Sequence, residues 1–311
     1  MVLHEIELEP GNTHGQFSRD MQPVLTINSG DQVKLKTVDV SWGIEQHGPT
    51  GSPRKRLKEL KMPIDDGPAL TGPIAINQAH PGNVLEIRFK KIVPGTWGWT
   101  FAGSSYFNKD LLKKWKIKDD ALVRWDINSS RTLAKSEDGI EVQTHPFMGT
   151  VGMPSNVNGW QSGWLPRATG GNMDCKYMQQ GSVLRLPVEV ESGLLSFGDG
   201  HACQGNGEIS GSAIECMMEE VIVEINVRDD IKIDAPQILF EDKIISLGFG
   251  KDLDKAIDQA IKGILRVIKK ELNISSSLAL AYTSTLVDLE ITQIVNSIRG
   301  VHAVFDKGKM V

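Results

Sequence analysis

The sequence predicts a mainly β protein: a sandwich- or barrel-like scaffold with a C-terminal helical hairpin, α+β overall. Three observations carry this. Short runs of alternating apolar and polar residues, punctuated by turn sequences, continue to about residue 245. Near Gly250 the apolar period changes from 2 to 3.6. Glycine is also unevenly spread. Its 31 residues, about 10% of the chain against a usual share of about 7%, crowd the middle third and thin out towards the end. These assign 1–245 to a β-rich scaffold and 246–311 to a helical hairpin and final strand, packed on it as one compact unit.

The elements follow in order. His4 to Leu8 alternate weakly. Val24 to Ile27 is an apolar run stopped by Asn28-Ser29-Gly30-Asp31, and Val33, Leu35 and Thr37 alternate with polar neighbours as a half-buried strand does. Residues 43–73, rich in Gly and Pro, read as a long excursion. Ile74–Asn77 and Val84–Val93 read as strands joined by the turn Pro81-Gly82-Asn83. Residues 121–145 alternate around the hairpin signal Glu137-Asp138-Gly139. Val183–Val190 reads as a strand that Pro187 places at an edge. Ile209–Ile225 reads as one long strand. Leu253, Ala256, Ile257, Ala260, Ile264 and Ile268 form one helical face. Ser275 caps a second helix expected to run to about Ile298, and Val301–Phe305 returns as a strand.

Composition narrows the class. With 34 basic and 39 acidic residues the net charge is −5, which argues against general nucleic-acid binding. Three cysteines are too few and odd in number for a disulfide scaffold, and the first residues lack the basic-then-apolar pattern of a signal peptide. No run approaches 18 apolar residues, so no membrane span is expected. The expected setting is cytoplasmic. The chain lacks a phosphate loop, a dinucleotide fingerprint, H-E-x-x-H and a G-x-S-x-G elbow. Ser104-Ser105 resembles the serine pair of one amidase class but lacks its flanking glycines.

One window stands out. Residues 198–208, GDGHACQGNGE, pack Asp199, His201, Gln204, Asn206 and Glu208 between four glycines. Glycine lets backbone approach a ligand closely and short polar side chains converge, at a cost in chain entropy. A second segment, Gly170-Gly171-Asn172-Met173-Asp174, precedes a strand. His14 and Asp39 lie near other strand ends. Histidine with carboxylates from separate loops is a hard-to-borderline metal set. The plainer readings are a turn cap for Asp174 and a loop ion pair for Glu208.

The chain resembles the acetamidase/formamidase family. The residues that carry this are GGNMD at 170–174 with LPV at 186–188, and GDGHACQGNGE at 198–208 with Ile214-Glu215 following. PVLTINSGD at 23–31, Thr71 to Ile74, Pro81-Gly82 through WGWT at 97–100, PFMGTVGMP at 146–154 and Asp288 to Asn296 fit in order as well. Asn206 stands where the commonest family pattern has aspartate. The resemblance implies a mainly β fold, hydrolysis of short aliphatic amides, divalent metal at the site and no organic cofactor.

Amide hydrolysis needs activated water, a stabilised oxyanion and a protonated leaving group. On that chemistry His201 is the expected metal ligand or general base, with Asp174, Asp39 and His14 as further ligands. Glu208 carries the proton to nitrogen, and Asp199 is counted with the catalytic groups. Asn172 and Gln204 bind the amide, and the backbone of Gly171 and Gly200 supplies oxyanion donors. Zinc is the first choice of metal and calcium the alternative. The expected partners are a small amide and a second copy of the chain, a homodimer, without nucleic acid or membrane. Two rival readings stay open: a thiol amidase using Cys175 or Cys203, and a non-enzymatic β-scaffold that binds through basic runs at 54–58 and 113–116.

Overall fold

The computed structural model describes residues 1–49, 52–103 and 109–310; Ser104-Ser105 lies outside them. The strands used below are β1 (Leu3–Ile6), β2 (Asp31–Thr37), β3 (Leu70–Ile76), β4 (Val84–Pro94), β5 (Trp97–Ala102), β6 (Phe147–Gly152), β7 (Gly170–Asn172), β8 (Val183–Pro187), β9 (Leu195–His201), β10 (Glu215–Cys216), β11 (Met218–Arg228), β12 (Gln237–Phe240) and β13 (Lys243–Gly250). After β13 come helices α1 (Leu253–Glu271) and α2 (Ser276–Leu286), then strands β14 (Val287–Gln293) and β15 (Arg299–Asp306).

Among the described residues a nine-stranded sheet runs β1-β2-β11-β4-β8-β12-β13-β15-β14. A second, eleven-stranded sheet contains the run β5-β10-β9-β6-β7, with β3 paired to β9. Their inner faces share one core. Val33, Leu35, Leu85, Ile87 and Val221 of the first sheet belong to the same cluster as Ile74, Phe147, Val151 and Phe197 of the second. This is the interdigitated interior of a β-sandwich. The nine-stranded sheet takes strands from both sides of residue 245. No described helix is long and apolar enough to cross a membrane.

Asp252 caps α1 by accepting from the Lys255 N–H at 2.9 Å. The helix lays Ala256, Ala260, Ile264 and Ile268 on Ile244, Val301, Ala303 and Phe305. Ser275 caps α2 as expected, but the helix stops at Leu286 and not near Ile298. The β-branched residues in Val287 to Thr292 favour an extended chain, and β14 pairs with β15 instead. The one long strand expected over 209–225 is instead two, β10 from Glu215 in the eleven-stranded sheet and β11 from Met218 in the nine-stranded sheet, preceded by a turn in which Gly211 adopts positive φ. Pro187 is not on an edge strand. It is the last residue of an interior strand and pairs with Val84, where its missing N–H interrupts no further ladder.

Two residues of the basic run, Arg54 and Lys58, are used inside the protein, while Lys55 and Arg56 stay exposed. Arg54 pairs with buried Asp39, and Lys58 Nζ lies 2.9 Å from Asp65 Oδ1 and 4.9 Å over the Trp42 ring. This weakens the support that the run at 54–58 gives to the binding-module reading.

Candidate active site

Strand β9 organises the site. One edge pairs with β6 along its length. The other pairs with β3 up to Gly198 and with β10 from Gly200. Asp199 lies where the partner changes, at φ +58°. The register sets His201 opposite Glu215 on β10. Asp174 follows β7 at φ +51°, and Glu208 lies in the loop after β9 at φ +43°. Three carboxylate residues thus occupy the left-handed region, which is uncommon outside glycine and concentrates at functional sites.

Asp174, Asp199 and His201 bring ligand atoms within 4.8 Å of one another, and His201, Glu208 and Glu215 do the same. All five residues are buried. His201 Nε2 lies 3.1 Å from Asp199 Oδ1 and 3.1 Å from Glu215 Oε2. Its Nδ1 lies 2.8 Å from Gln204 Oε1, while Gln204 Nε2 donates to the Asp174 carbonyl at 2.9 Å. That second bond fixes the amide orientation, so Nδ1–H donates to Gln204 and Nε2 faces the carboxylates. Thr150 Oγ1 lies 2.6 Å from Asn172 Oδ1 and 3.2 Å from Asp199 Oδ2. Asn172 Nδ2 donates to Asp174 Oδ2 at 3.0 Å.

Gly149 makes room for this. A Cβ there would lie 2.6 Å from Asp199 Oδ2 and 2.9 Å from Asp174 Oδ1. Gly200 answers a different need: its Cβ would lie 2.7 Å from Met218 Cγ.

The cluster carries more acid than one imidazole can balance. Burial pushes Asp174 well above the carboxylate range, reinforced by Glu208 and Asp199. Burial also lifts Glu208 to about 8, against the opposing pull of His201, and lifts Glu215. Burial of Asp199 works the same way, but the charge of His201 outweighs it and holds that carboxyl low. His201 is raised well above its usual value, because Glu215 and Asp199 outweigh the burial that would lower it. Asp174 Oδ1 and Glu208 Oε2, both buried, have no hydrogen-bond partner. Orphaned oxygens within a four-carboxylate, one-imidazole set fit a divalent cation.

A cleft of about 430 Å³ opens on the cluster. Asn172, Asp199, Glu208 and Glu215 face it, with Val40, Trp164 and Val295 as apolar wall.

Several expected residues do other work. Asp39 lies outside the cluster: it accepts from the N–H groups of Ser41 (3.0 Å), Gly43 (2.8 Å) and Trp99 Nε1 (2.7 Å) and pairs with Arg54. His14 is also outside the cluster. Its ring bridges the Gln16 carbonyl (2.6 Å) and Ser196 Oγ (2.9 Å), and burial pushes it down to about 4. Gln204 orients His201 and has both ends of its amide occupied. Gly171 is paired in the ladder opposite Val151 and Gly200 lies between β6 and β10, so neither faces the cleft. The thiols are poorly placed for nucleophilic work, since burial pushes Cys175 up to about 12 and raises Cys203. Glu215, Thr150 and Gly149 join the cluster without being among the expected site residues, although all three lie in segments that carry the family resemblance. The available signal for Glu215 was a lone charge in the otherwise apolar run Ala213 to Met218.

The sequence profile of the Acetamidase/Formamidase family matches residues 4–158 and 163–294. A formamidase of Methylophilus methylotrophus is 22% identical over 65% of this chain and 60% of its own. An acetamidase of Mycolicibacterium smegmatis is 24% identical over 63% of this chain and 61% of its own. The chain therefore spans about three fifths of the length of these relatives. The crystal structure of an acetamidase from Bacillus halodurans shares the fold, with a TM-score of 0.83 at 24% identity over 97% of each chain. Matched along nearly its whole length, the chain belongs to the acetamidase/formamidase family.

Proposed function

We propose that this protein is an amidohydrolase that cleaves short aliphatic amides to a carboxylate and ammonia. The observation that carries the reading is the buried five-group cluster opening on a cleft, in a chain whose relatives are named formamidase and acetamidase. Asp174, Asp199 and His201, with Glu215 beside them, would hold a divalent cation, zinc or calcium. Such a cation, when bound, lowers the pKa of a water and polarises the amide carbonyl.

The chain's own residues supply the rest. Gln204 accepts from the His201 Nδ1–H and so turns Nε2 toward Asp199 and Glu215, the side from which it would ligate the cation. Asn172 gives one Nδ2 hydrogen to Asp174 and keeps a second for the amide oxygen at the cleft. Glu208, with its proton retained near neutral pH, is placed to protonate the leaving nitrogen. Val40, Trp164 and Val295 offer apolar surface to the acyl group, in a cleft roomy enough for chains longer than acetyl.

Ammonia release from an amide series, formamide through butyramide, tests this directly. His201→Ala and Glu208→Gln are each expected to remove most turnover, the first with loss of bound metal. No ammonia from any amide would overturn the reading.

A further inference from the structure

We propose that Glu290, backed by His302, is a positioning residue that holds the Glu208 loop against strand β14, so that the C-terminal strands take part in the working site. The inference rests on the amidohydrolase reading only for its kinetic arm.

The loop between β9 and β10 needs an outside anchor. It contains Gly205, Gly207 and Gly211 and forms no regular ladder of its own. Within it, Glu208 is kept at positive φ by the turn bonds Glu208 N to Gly205 O (3.2 Å) and Gly211 N to Glu208 O (3.0 Å). A glutamate stays in that region only when its surroundings hold it there. The anchor is β14. Gly207 bridges to Gln293 in parallel fashion. The Gly207 N–H donates to the Thr292 carbonyl at 3.0 Å, and the Ile294 N–H donates to the Gly207 carbonyl at 3.1 Å.

Side chains extend the same contact. Asn206 Nδ2 donates to Glu290 Oε2. Glu290 lies opposite His302 on the neighbouring strand, with Oε2 3.5 Å from His302 Nε2. His302 is completely buried. Its Nδ1 lies 2.7 Å from Thr292 Oγ1, and its ring stands edge-on to Tyr177 at 5.6 Å. The buried imidazole thus stands against the carboxylate, and the carboxylate accepts from the asparagine two residues before Glu208. Thr292 serves both ends: its carbonyl receives Gly207 and its hydroxyl meets His302. The alternative is an ordinary surface ion pair, which contributes little.

The zinc-loaded protein and its Glu290→Ala, Glu290→Gln and Asn206→Ala variants separate the two. Expected for Glu290→Ala is a kcat on acetamide lowered about 10- to 100-fold, KM within twofold and faster hydrogen exchange at the amides of Gly207 and Glu208. Glu290→Gln keeps an acceptor for Asn206 and is expected to recover most of kcat. Asn206→Ala should match Glu290→Ala, and the double variant should be no worse than either alone. Wild-type kcat and exchange in Glu290→Ala would overturn the proposal. So would a loss that Gln does not relieve and that follows a lowered Tm. If the unaltered protein releases no ammonia from any amide, the hydrolase reading fails by itself. Exchange at Gly207 and Glu208 then still decides the positioning role, with an unchanged rate counting against it.

Discussion

Replacing Gly149 with alanine should disable the site without adding or removing any polar or ionisable group. Gly149 has an ordinary backbone conformation, so alanine meets no dihedral barrier there. The added methyl would lie 2.6 Å from Asp199 Oδ2 and 2.9 Å from Asp174 Oδ1, against an ordinary contact of 3.4 Å or more. The two carboxylates must therefore retreat by about 0.8 and about 0.5 Å respectively, and the Asp199 carbonyl, 2.9 Å from the methyl, must shift as well. Catalytic groups tolerate displacement of about 0.5 Å, and an error of about 1 Å can cost roughly 100-fold in rate. Two decades correspond to about 2.7 kcal/mol of transition-state stabilisation. Overpacking adds roughly 1–3 kcal/mol of lost stability. The assay is ammonia release at saturating and limiting amide, with metal content and urea unfolding measured on the same preparation. The expected result is kcat/KM down by about 100-fold with bound metal reduced, in a protein that still folds. Full activity and full metal content in Gly149→Ala would show that the carboxylates are not confined as described.

Four further expectations can be checked together. His14 is held neutral down to about pH 4 when folded but titrates near 6.5 when unfolded. The unfolded chain then binds more protons as pH falls from 6.5 towards 4, so stability is full above 6.5 and is lost across that window. The loss amounts to about 2 kcal/mol by pH 5; urea midpoints of His14→Gln should lack this slope, and an unchanged slope would refute it. Cys175→Ala and Cys203→Ala should each keep kcat within about twofold, whereas a collapse of turnover would revive thiol catalysis. Returning zinc or calcium to chelated protein should raise Tm, by about 2.7 kcal/mol of stabilisation at 100 times Kd; no shift with either ion would dismiss the cation. Trp164→Ala should raise KM for butyramide more than for acetamide, by up to about 10-fold, and equal effects would remove Trp164 from the acyl wall.

The β architecture and helix α1 were legible because period-2 and period-3.6 patterns report which face is buried. The end of α2 was not, since the apolar spacing from Leu278 to Ile294 suits a helix face and only the β-branched run at 287–292 betrays β14. In the site, Asp174, Asp199, His201 and Glu208 could be picked out because glycine crowding flags them. Asp39 and His14 looked equally good as residue types. Sequence does not show that three N–H groups and Arg54 already saturate Asp39, or that Ser196 and a carbonyl occupy His14. Glu215 escaped because its role depends on register, and register is set by pairing with His201 across thirteen residues of intervening chain.

The position of the five groups along the chain has a consequence for how the protein comes to be active. All of them fall within residues 174–215, so closing the loops between them costs little chain entropy. The nine-stranded sheet is the opposite case. Its β2–β11 ladder joins Thr37 to Met218, and its β4–β11 ladder joins Val84 to Arg228. Such distant pairings are the slow part of folding. The hairpins that carry the acids can therefore meet while water still surrounds them, and in water a carboxylate ionises near 4. The proton that Glu208 retains near neutral pH belongs to the finished interior, not to the local loop. Catalytic competence should therefore lag behind local structure and appear only as the most remote strands close.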